Sequence, residues 1–129
     1  MPVPGLRNER LDVYHLALEF LVFANGVIEG LPRGRSHLGD QFTRASLSIV
    51  LNVAEGAGKH SKPDKRRYYL TARGSATESA ALLDVCVRLG LLDVTGHKTG
   101  KEMVVAHRVG RWPSVISKVM GNPSASTTK

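Results

Sequence analysis

Apolar residues recur at helical spacing in four segments of the chain, and stretches rich in glycine, proline and serine separate the segments. The spacing predicts helices over residues 9–28, 37–57, 63–89 and 101–120. No segment alternates apolar and polar residues as a half-buried strand does. The pattern therefore predicts an all-α protein, built as an antiparallel up-down-up-down four-helix bundle with short connections.

Residues that begin or end helices lie between these segments. Ser36 is a candidate N-cap for the second helix, and Gly56 or Gly58 is expected to end it. Pro63 suits the first turn of the third helix, and Gly90 is expected to end that helix.

The bundle is expected to form one domain over residues 9–120. Residues 1–8 carry two prolines and a glycine and are expected to form a flexible arm, whereas the polar residues 121–129 are expected to form a disordered tail. The sequence VTGHKTGK over residues 94–101 predicts a turn, and Pro113 predicts a kink in the last helix.

The predicted second helix has two apolar stripes on different faces, with a polar row between them. The chain's own core can cover one stripe. The other requires another helix layer or another subunit. The second stripe consists of Leu47, Val50, Leu51, Ala54 and Ala57, and we expect an oligomer interface at the first four of these residues.

Composition narrows the classes of function. The chain of 129 residues has 18 Lys and Arg against 11 Asp and Glu, and this net charge of +7 favours anionic partners such as nucleic acid. The single cysteine, Cys86, excludes an internal disulfide framework and fits a reducing compartment. No signal peptide is visible, and no apolar run approaches the length of a membrane span, so a cytoplasmic location is expected.

The basic residues cluster in sequence. Between Lys59 and Arg73 lie six cations and only one carboxylate, Asp64, around the turn between the second and third helices. The cluster is either an ordinary solvated surface or a binding site for phosphates. Tyr68 and Tyr69 adjoin it and offer rings for stacking on bases, although Tyr69 falls on the apolar face and is expected to pack inside. The candidate nucleic-acid contacts are Lys59, Lys62, Lys65, Arg66 and Arg67, with Arg108 and Arg111 as secondary candidates.

Polar rows on the second and third helices are the best candidates for an active site. Glu55 and Arg73 are either poised in a cleft or joined as an interhelical ion pair. We favour the structural role, because no nucleophile with an adjacent base accompanies them. The polar network expected between these helices consists of Ser48, Asn52, Glu55, Arg73, Ser75 and Glu78.

Metal and phosphate-loop signatures are weak. None of the five histidines has the spacing of a zinc motif. The run GAGK over residues 56–59 lacks the full spacing of a phosphate loop and follows a helix, where that motif follows a strand. We therefore expect no catalytic residue, no metal and no cofactor.

Two motifs resemble those of a known family. Residues 48–56, SIVLNVAEG, are similar to a pattern Ser-Ile-Pro-Ala-Asn-Ile-Ala-Glu-Gly, with Val50 and Leu51 in place of Pro-Ala. Residues 69–78 match a second pattern, an aromatic residue followed by Leu-x-Ala-Arg-Gly-Ser-x-x-Glu. These patterns occur in order in four-helix bundle proteins first noticed in intervening sequences of bacterial 23S rRNA genes, and the resemblance covers residues 9–92.

The resemblance implies an antiparallel four-helix bundle that assembles into a ring, typically a homopentamer. Relatives include accessory proteins of diversity-generating retroelements, whose basic rings bind nucleic acid and the reverse transcriptase. The family's name reflects where the genes were found and does not imply ribosome binding. The leading hypothesis is a non-enzymatic oligomer that binds RNA or DNA, with a reverse transcriptase as a further partner. The alternative is a protein-interaction ring that does not bind nucleic acid.

Overall fold

The computed structural model of the chain describes residues 8–105, and within that range the fold is all-α, with four helices and no strand. The first three helices confirm the prediction to within one residue at each end. The predicted arm before Asn8, the predicted helical residues 106–120 with Pro113, and the predicted tail lie outside the described residues. The helices are α1 (Asn8–Glu29), α2 (Ser36–Ala57), α3 (Lys62–Arg88) and α4 (Val94–Val105).

Each helix lies beside the next one along the chain, and α4 also lies beside α1. In the described range the backbones of α1 and α3 do not approach each other, and neither do those of α2 and α4. Contacts between α2 and α3 run in opposite chain directions. Gly56 near the end of α2 lies against Tyr69 near the start of α3, and Gln41 near the start of α2 reaches Glu78 further along α3.

The core combines a few large apolar side chains with many alanines. Phe20 of α1 and Phe42 of α2 are fully buried with their ring centroids 6.1 Å apart, and Ile49 and Leu83 complete the centre. Small residues let helix backbones approach closely, which explains how so few aromatic residues fill the interior. Among the described residues, seven alanines contribute to this core: Ala17, Ala24, Ala45, Ala57, Ala72, Ala76 and Ala80.

The turns around α3 confirm most of the predicted helix ends. Gly58 ends α2, and Pro63 lies in the first turn of α3. The N-cap of α3 is Ser61, whose hydroxyl accepts a hydrogen bond of 3.2 Å from the backbone N–H of Asp64. Gly90, with φ of 73°, follows the end of α3 in the left-handed conformation that favours glycine.

The start of α2 differs from the prediction by one residue. Ser36 is the first helical residue, and Arg35 holds the N-cap position without a hydrogen bond from its side chain. The prediction of Ser36 as the N-cap is therefore wrong. The backbone makes the first turn by itself, because the carbonyl of Arg35 accepts from the N–H groups of Leu38 and Gly39 at 3.1 and 3.2 Å.

α4 begins at Val94, so the predicted turn over residues 94–101 is wrong. The carboxylate of Asp93 accepts a hydrogen bond of 2.6 Å from the N–H of Gly96 and caps the new helix. The glycine at position 100 permits close packing, because a Cβ there would lie 2.6 Å from the ring of Phe23. Glycine here serves helix packing, although its usual effect is to break a helix.

Candidate nucleic-acid interface

The short turn between α2 and α3 brings five predicted cations to one end of the two helices. Gly58 caps the end of α2 and Ser61 caps the start of α3, so only a few residues separate the two helices. The secondary candidates Arg108 and Arg111 lie outside the described residues. The five cations in and after the turn are Lys59, Lys62, Lys65, Arg66 and Arg67.

Lys65 has a structural role at the end of α2. Its ammonium group donates to the carbonyl oxygens of Gly56 at 3.5 Å and Ala57 at 3.3 Å. The last carbonyls of a helix have no partner within the helix, and a cation there also interacts favourably with the helix dipole. The half-buried Lys65 therefore holds α3 to the end of α2.

Two further cations contact the ring of Tyr68. Lys59 Nζ lies 5.2 Å and Arg67 Cζ lies 4.6 Å from the ring centroid, within the range of cation–π contact. Lys59 also pairs with Glu55, and Arg67 with Asp64, each at 3.5 Å. The Tyr68 ring thus positions two cations.

Lys62 and Arg66 are the exposed cations of this turn without a carboxylate partner. In the part of the chain that the structure describes, no carboxylate oxygen lies within 4.0 Å of either side chain. Both line an open groove at the start of α3, together with Pro63, Arg67 and Leu70. The charges of Lys62 and Arg66 are therefore not neutralised by a carboxylate of the described residues.

The predicted polar network is divided into separate contacts. Ser75 of α3 donates a hydrogen bond of 2.8 Å to the hydroxyl of Ser48 on α2, and Asn52 donates to the same hydroxyl at 3.0 Å. Glu78 lies elsewhere along the helix pair and accepts from Gln41 at 3.1 Å. Ser48, Asn52 and Ser75 therefore form one interhelical cluster, to which Glu78 does not contribute.

The ion pair expected between Glu55 and Arg73 is absent from the single chain. Glu55 is exposed and pairs with Lys59, and Arg73 is exposed with no carboxylate within 4.0 Å among the described residues. The expected pairing of Arg73 with Glu55 fails within one chain for a geometric reason. Ser75 faces α2, and two residues correspond to about 200° around a helix, so Arg73 lies on nearly the opposite side of α3.

The predicted oligomer interface is only partly exposed. Leu47 and Leu51 of α2 are 39% and 54% exposed, and Ala54 beside them is half-buried. Val50 is 6% exposed and packs in the chain's own core, so its assignment to an intersubunit surface is wrong. The remaining three residues form an outward-facing apolar patch on α2.

One polar cluster was missed by the sequence analysis. Asp84 of α3 accepts hydrogen bonds from His97 at 2.8 Å and Lys101 at 2.9 Å on α4. The bond from Lys101, and then that from His97, lowers the pKa of the Asp84 carboxyl. His97 and Lys101 are four residues apart and would lie on one face of a helix. The sequence gives no reason to use this spacing when a turn is predicted over residues 94–101.

Possible reactive groups among the described residues include the single cysteine and the metal-ligating residue types. Cys86 is buried, and its burial raises the pKa of the thiol and so disfavours the nucleophilic thiolate. Among the described side chains, no three His, Cys, Asp or Glu residues are placed to hold one metal ion. None of the described helices has the length and apolar character needed to span a membrane.

Comparison with known proteins bears on the two motifs. A search of the curated proteins found no match to the chain. The family model described as 23S rRNA-intervening sequence protein matches residues 9–107, which include both motifs and most of the four helices. This match covers well over half of the chain and confirms the resemblance drawn from residues 48–56 and 69–78. The chain belongs to the 23S rRNA-intervening sequence protein family.

Proposed function

We propose that this protein is a non-enzymatic homo-oligomer that binds nucleic acid through backbone phosphates at the α2–α3 turn. The observation that carries the proposal is the pair of exposed cations, Lys62 and Arg66, which line one groove without a carboxylate partner among the described residues. Nucleic acid is the polyanion that such a site attracts, and contacts to phosphates do not depend on base sequence.

Two neighbouring cations can join these two when nucleic acid binds. Lys59 and Arg67 are paired with the exposed carboxylates of Glu55 and Asp64. Exposed ion pairs contribute only about 0–1 kcal/mol, so a phosphate can replace either carboxylate at little cost. Each chain then offers up to four phosphate contacts, and the logarithm of the affinity should fall with the logarithm of salt concentration by about 0.9 per contact on duplex DNA.

The assembly we propose is a homopentameric ring of antiparallel up-down-up-down bundles. Support comes from the family resemblance and from the exposed apolar patch formed by Leu47, Leu51 and Ala54 on α2. A patch of this kind on a basic, polar surface is a surface that another subunit can cover. A ring repeats the basic turn on every subunit, and linked sites on one polyanion increase the overall affinity.

The test combines light scattering after size-exclusion chromatography with fluorescence anisotropy on labelled RNA and DNA at two salt concentrations. Five chains of 14.0 kDa predict an assembly near 70 kDa. The double variant Lys62→Ala/Arg66→Ala is expected to weaken binding at low salt by about tenfold or more, through lost phosphate contacts. The matched control is Arg88→Ala/Lys98→Ala, which removes two exposed cations elsewhere and is expected to change affinity less than about twofold.

The proposal would be refuted if the assembly bound neither RNA nor DNA at either salt concentration. That result would favour the alternative function, a scaffold ring whose partner is a protein such as a reverse transcriptase. Equal losses in the double variant and in its control would instead show that net charge, and not this turn, governs binding.

A further inference from the structure

The groove on α3 combines cations with apolar side chains. Pro63 is exposed and Leu70 is half-buried, and both line the groove together with Lys62, Arg66 and Arg67. The aliphatic stems of lysine and arginine extend such an apolar floor while their charged ends stay in water. A site for phosphates alone has no need of this apolar surface.

A third cation continues the line of positive charge along α3. Arg73 lies eleven residues after Lys62, which returns it to within about 20° of the same side of the helix. The helical rise places Arg66 about 6 Å and Arg73 about 16 Å beyond Lys62 along the axis. All three are exposed, and none has a carboxylate within 4.0 Å in the described part of the chain. The three side chains form a cationic stripe beside the groove.

Only one state of nucleic acid matches both the stripe and the apolar floor. In a duplex the faces of the bases are stacked inside, and the protein meets phosphates, sugars and base edges. In a single strand the bases can turn out and place their faces on apolar side chains or on the plane of an arginine. Pro63, Leu70 and Arg66 offer such surfaces at the groove.

We infer that this groove binds a single-stranded segment of RNA or DNA, with phosphates on the stripe of Lys62, Arg66 and Arg73 and an unpaired base on the floor of Pro63 and Leu70. The inference rests on the proposed function and assigns its substrate class. It also gives a binding role to Arg73, which does not form the expected pair with Glu55 within the chain.

The experiment compares a labelled oligo-dT strand with a dT–dA duplex that carries the same number of phosphates, using the full chain and fluorescence anisotropy at low salt. The single strand is expected to bind about tenfold more tightly than the duplex, because base-face contacts form only with unpaired bases. Arg73→Ala is expected to weaken binding of the single strand by about threefold to tenfold. Its control, Arg88→Ala on the same helix, is expected to change it less than about twofold.

Variants of the floor separate base contacts from phosphate contacts. Leu70→Ala is expected to weaken binding of the single strand by about threefold to tenfold and to leave the affinity for the duplex unchanged. Leu89→Ala is the control, since Leu89 is 45% exposed at the other end of α3. Pro63→Ser provides a second variant at an exposed position, in case loss of Leu70 disturbs packing, and should show the same selective loss.

Two results would overturn the inference directly. One is equal affinity for the strand and the duplex, and the other is an equal loss of affinity for both ligands in the variants of Pro63 and Leu70. Absence of binding at low salt to either ligand, and to the same strand and duplex made of RNA, would refute the proposed function itself, and the inference with it. Tighter binding of the duplex would also overturn the inference, because it would show that the groove contacts the sugar–phosphate backbone and no unpaired base.

Discussion

The contact between Gly56 and Tyr69 predicts that one added methyl group destabilises the fold. A Cβ at position 56 would lie 2.7, 2.9 and 3.2 Å from the Cε1, Cδ1 and Cζ atoms of the Tyr69 ring. The ring is 0% exposed and packs with buried Val13, Val53 and Ala72. Because these neighbours leave no free space, the ring cannot move aside without disturbing the core.

The expected size of the effect follows from two opposing contributions. Overpacking of a core costs about 1–3 kcal/mol, whereas replacing glycine by alanine inside a helix gains about 1 kcal/mol. The contacts below 3.0 Å on a buried ring favour the upper part of the first range, so Gly56→Ala should lower the free energy of unfolding by about 1–2 kcal/mol. Gly74→Ala is the matched control, since no atom lies within 4 Å of a Cβ at that helical position, and it should raise stability by about 0.5–1 kcal/mol.

Urea unfolding followed by circular dichroism measures both variants, at one fixed chain concentration because assembly couples stability to concentration. A third variant, Tyr69→Leu, removes the ring that the new methyl group meets. In that background the cost of Gly56→Ala should shrink, which a double-mutant cycle detects as coupling between the two sites. A Gly56→Ala protein as stable as the parent chain, or a cost unchanged by Tyr69→Leu, would refute this reasoning.

Three further predictions concern other parts of the fold. Asp84→Asn should cost about 0.2–1 kcal/mol at neutral pH, because its pairs are exposed. Because these partners lower the pKa of Asp84, its contribution to stability is fully present above the ordinary carboxyl pKa of 3.8 and is lost as the pH falls through the lower pKa of the folded protein. Urea unfolding should therefore show the free energies of unfolding of the variant and the parent chain converging in acid. Ser79→Ala should leave stability unchanged or raise it by about 1 kcal/mol in thermal unfolding, since the buried Ser79 hydroxyl has no hydrogen-bond partner among the described residues; a clear loss would contradict this. Leu51→Glu should dissociate the oligomer in light scattering while keeping the helical circular dichroism, and a loss of helicity would place Leu51 in the subunit's own core.

The helices predicted best are those whose ends carry strong local signals. Pro63 and Gly90 bound α3, and an apolar stripe of helical period runs between them. The start of α4 was predicted at residue 101 instead of Val94 because Gly96 and Gly100 lower helix propensity. Only the packed structure shows why glycine is tolerated at position 100, where the ring of Phe23 leaves no room for a Cβ.

The sequence could locate the candidate site, but it could not show which of its cations bind a ligand and which stabilise the fold. A count of charges is enough to find the basic turn, because charge depends on composition alone. Whether a cation is free depends on the neighbouring helix. Lys65 reaches back to the carbonyls of α2, and Arg73 faces away from α2, and both facts follow from the register of two helices.

This division of roles makes stability and binding separable at the basic turn. Lys65 contacts the end of α2, so its loss acts on the fold and weakens binding only indirectly. Lys62 and Arg66 make no described ion pair, and substitutions at exposed positions without such partners usually change stability by less than about 0.5 kcal/mol. In the free chain, water and salt ions surround the exposed charges of Lys62 and Arg66, and a phosphate bound at the proposed groove would release such ions. Because these two side chains are expected to add little to stability, substitutions there test the proposed binding while the fold stays intact.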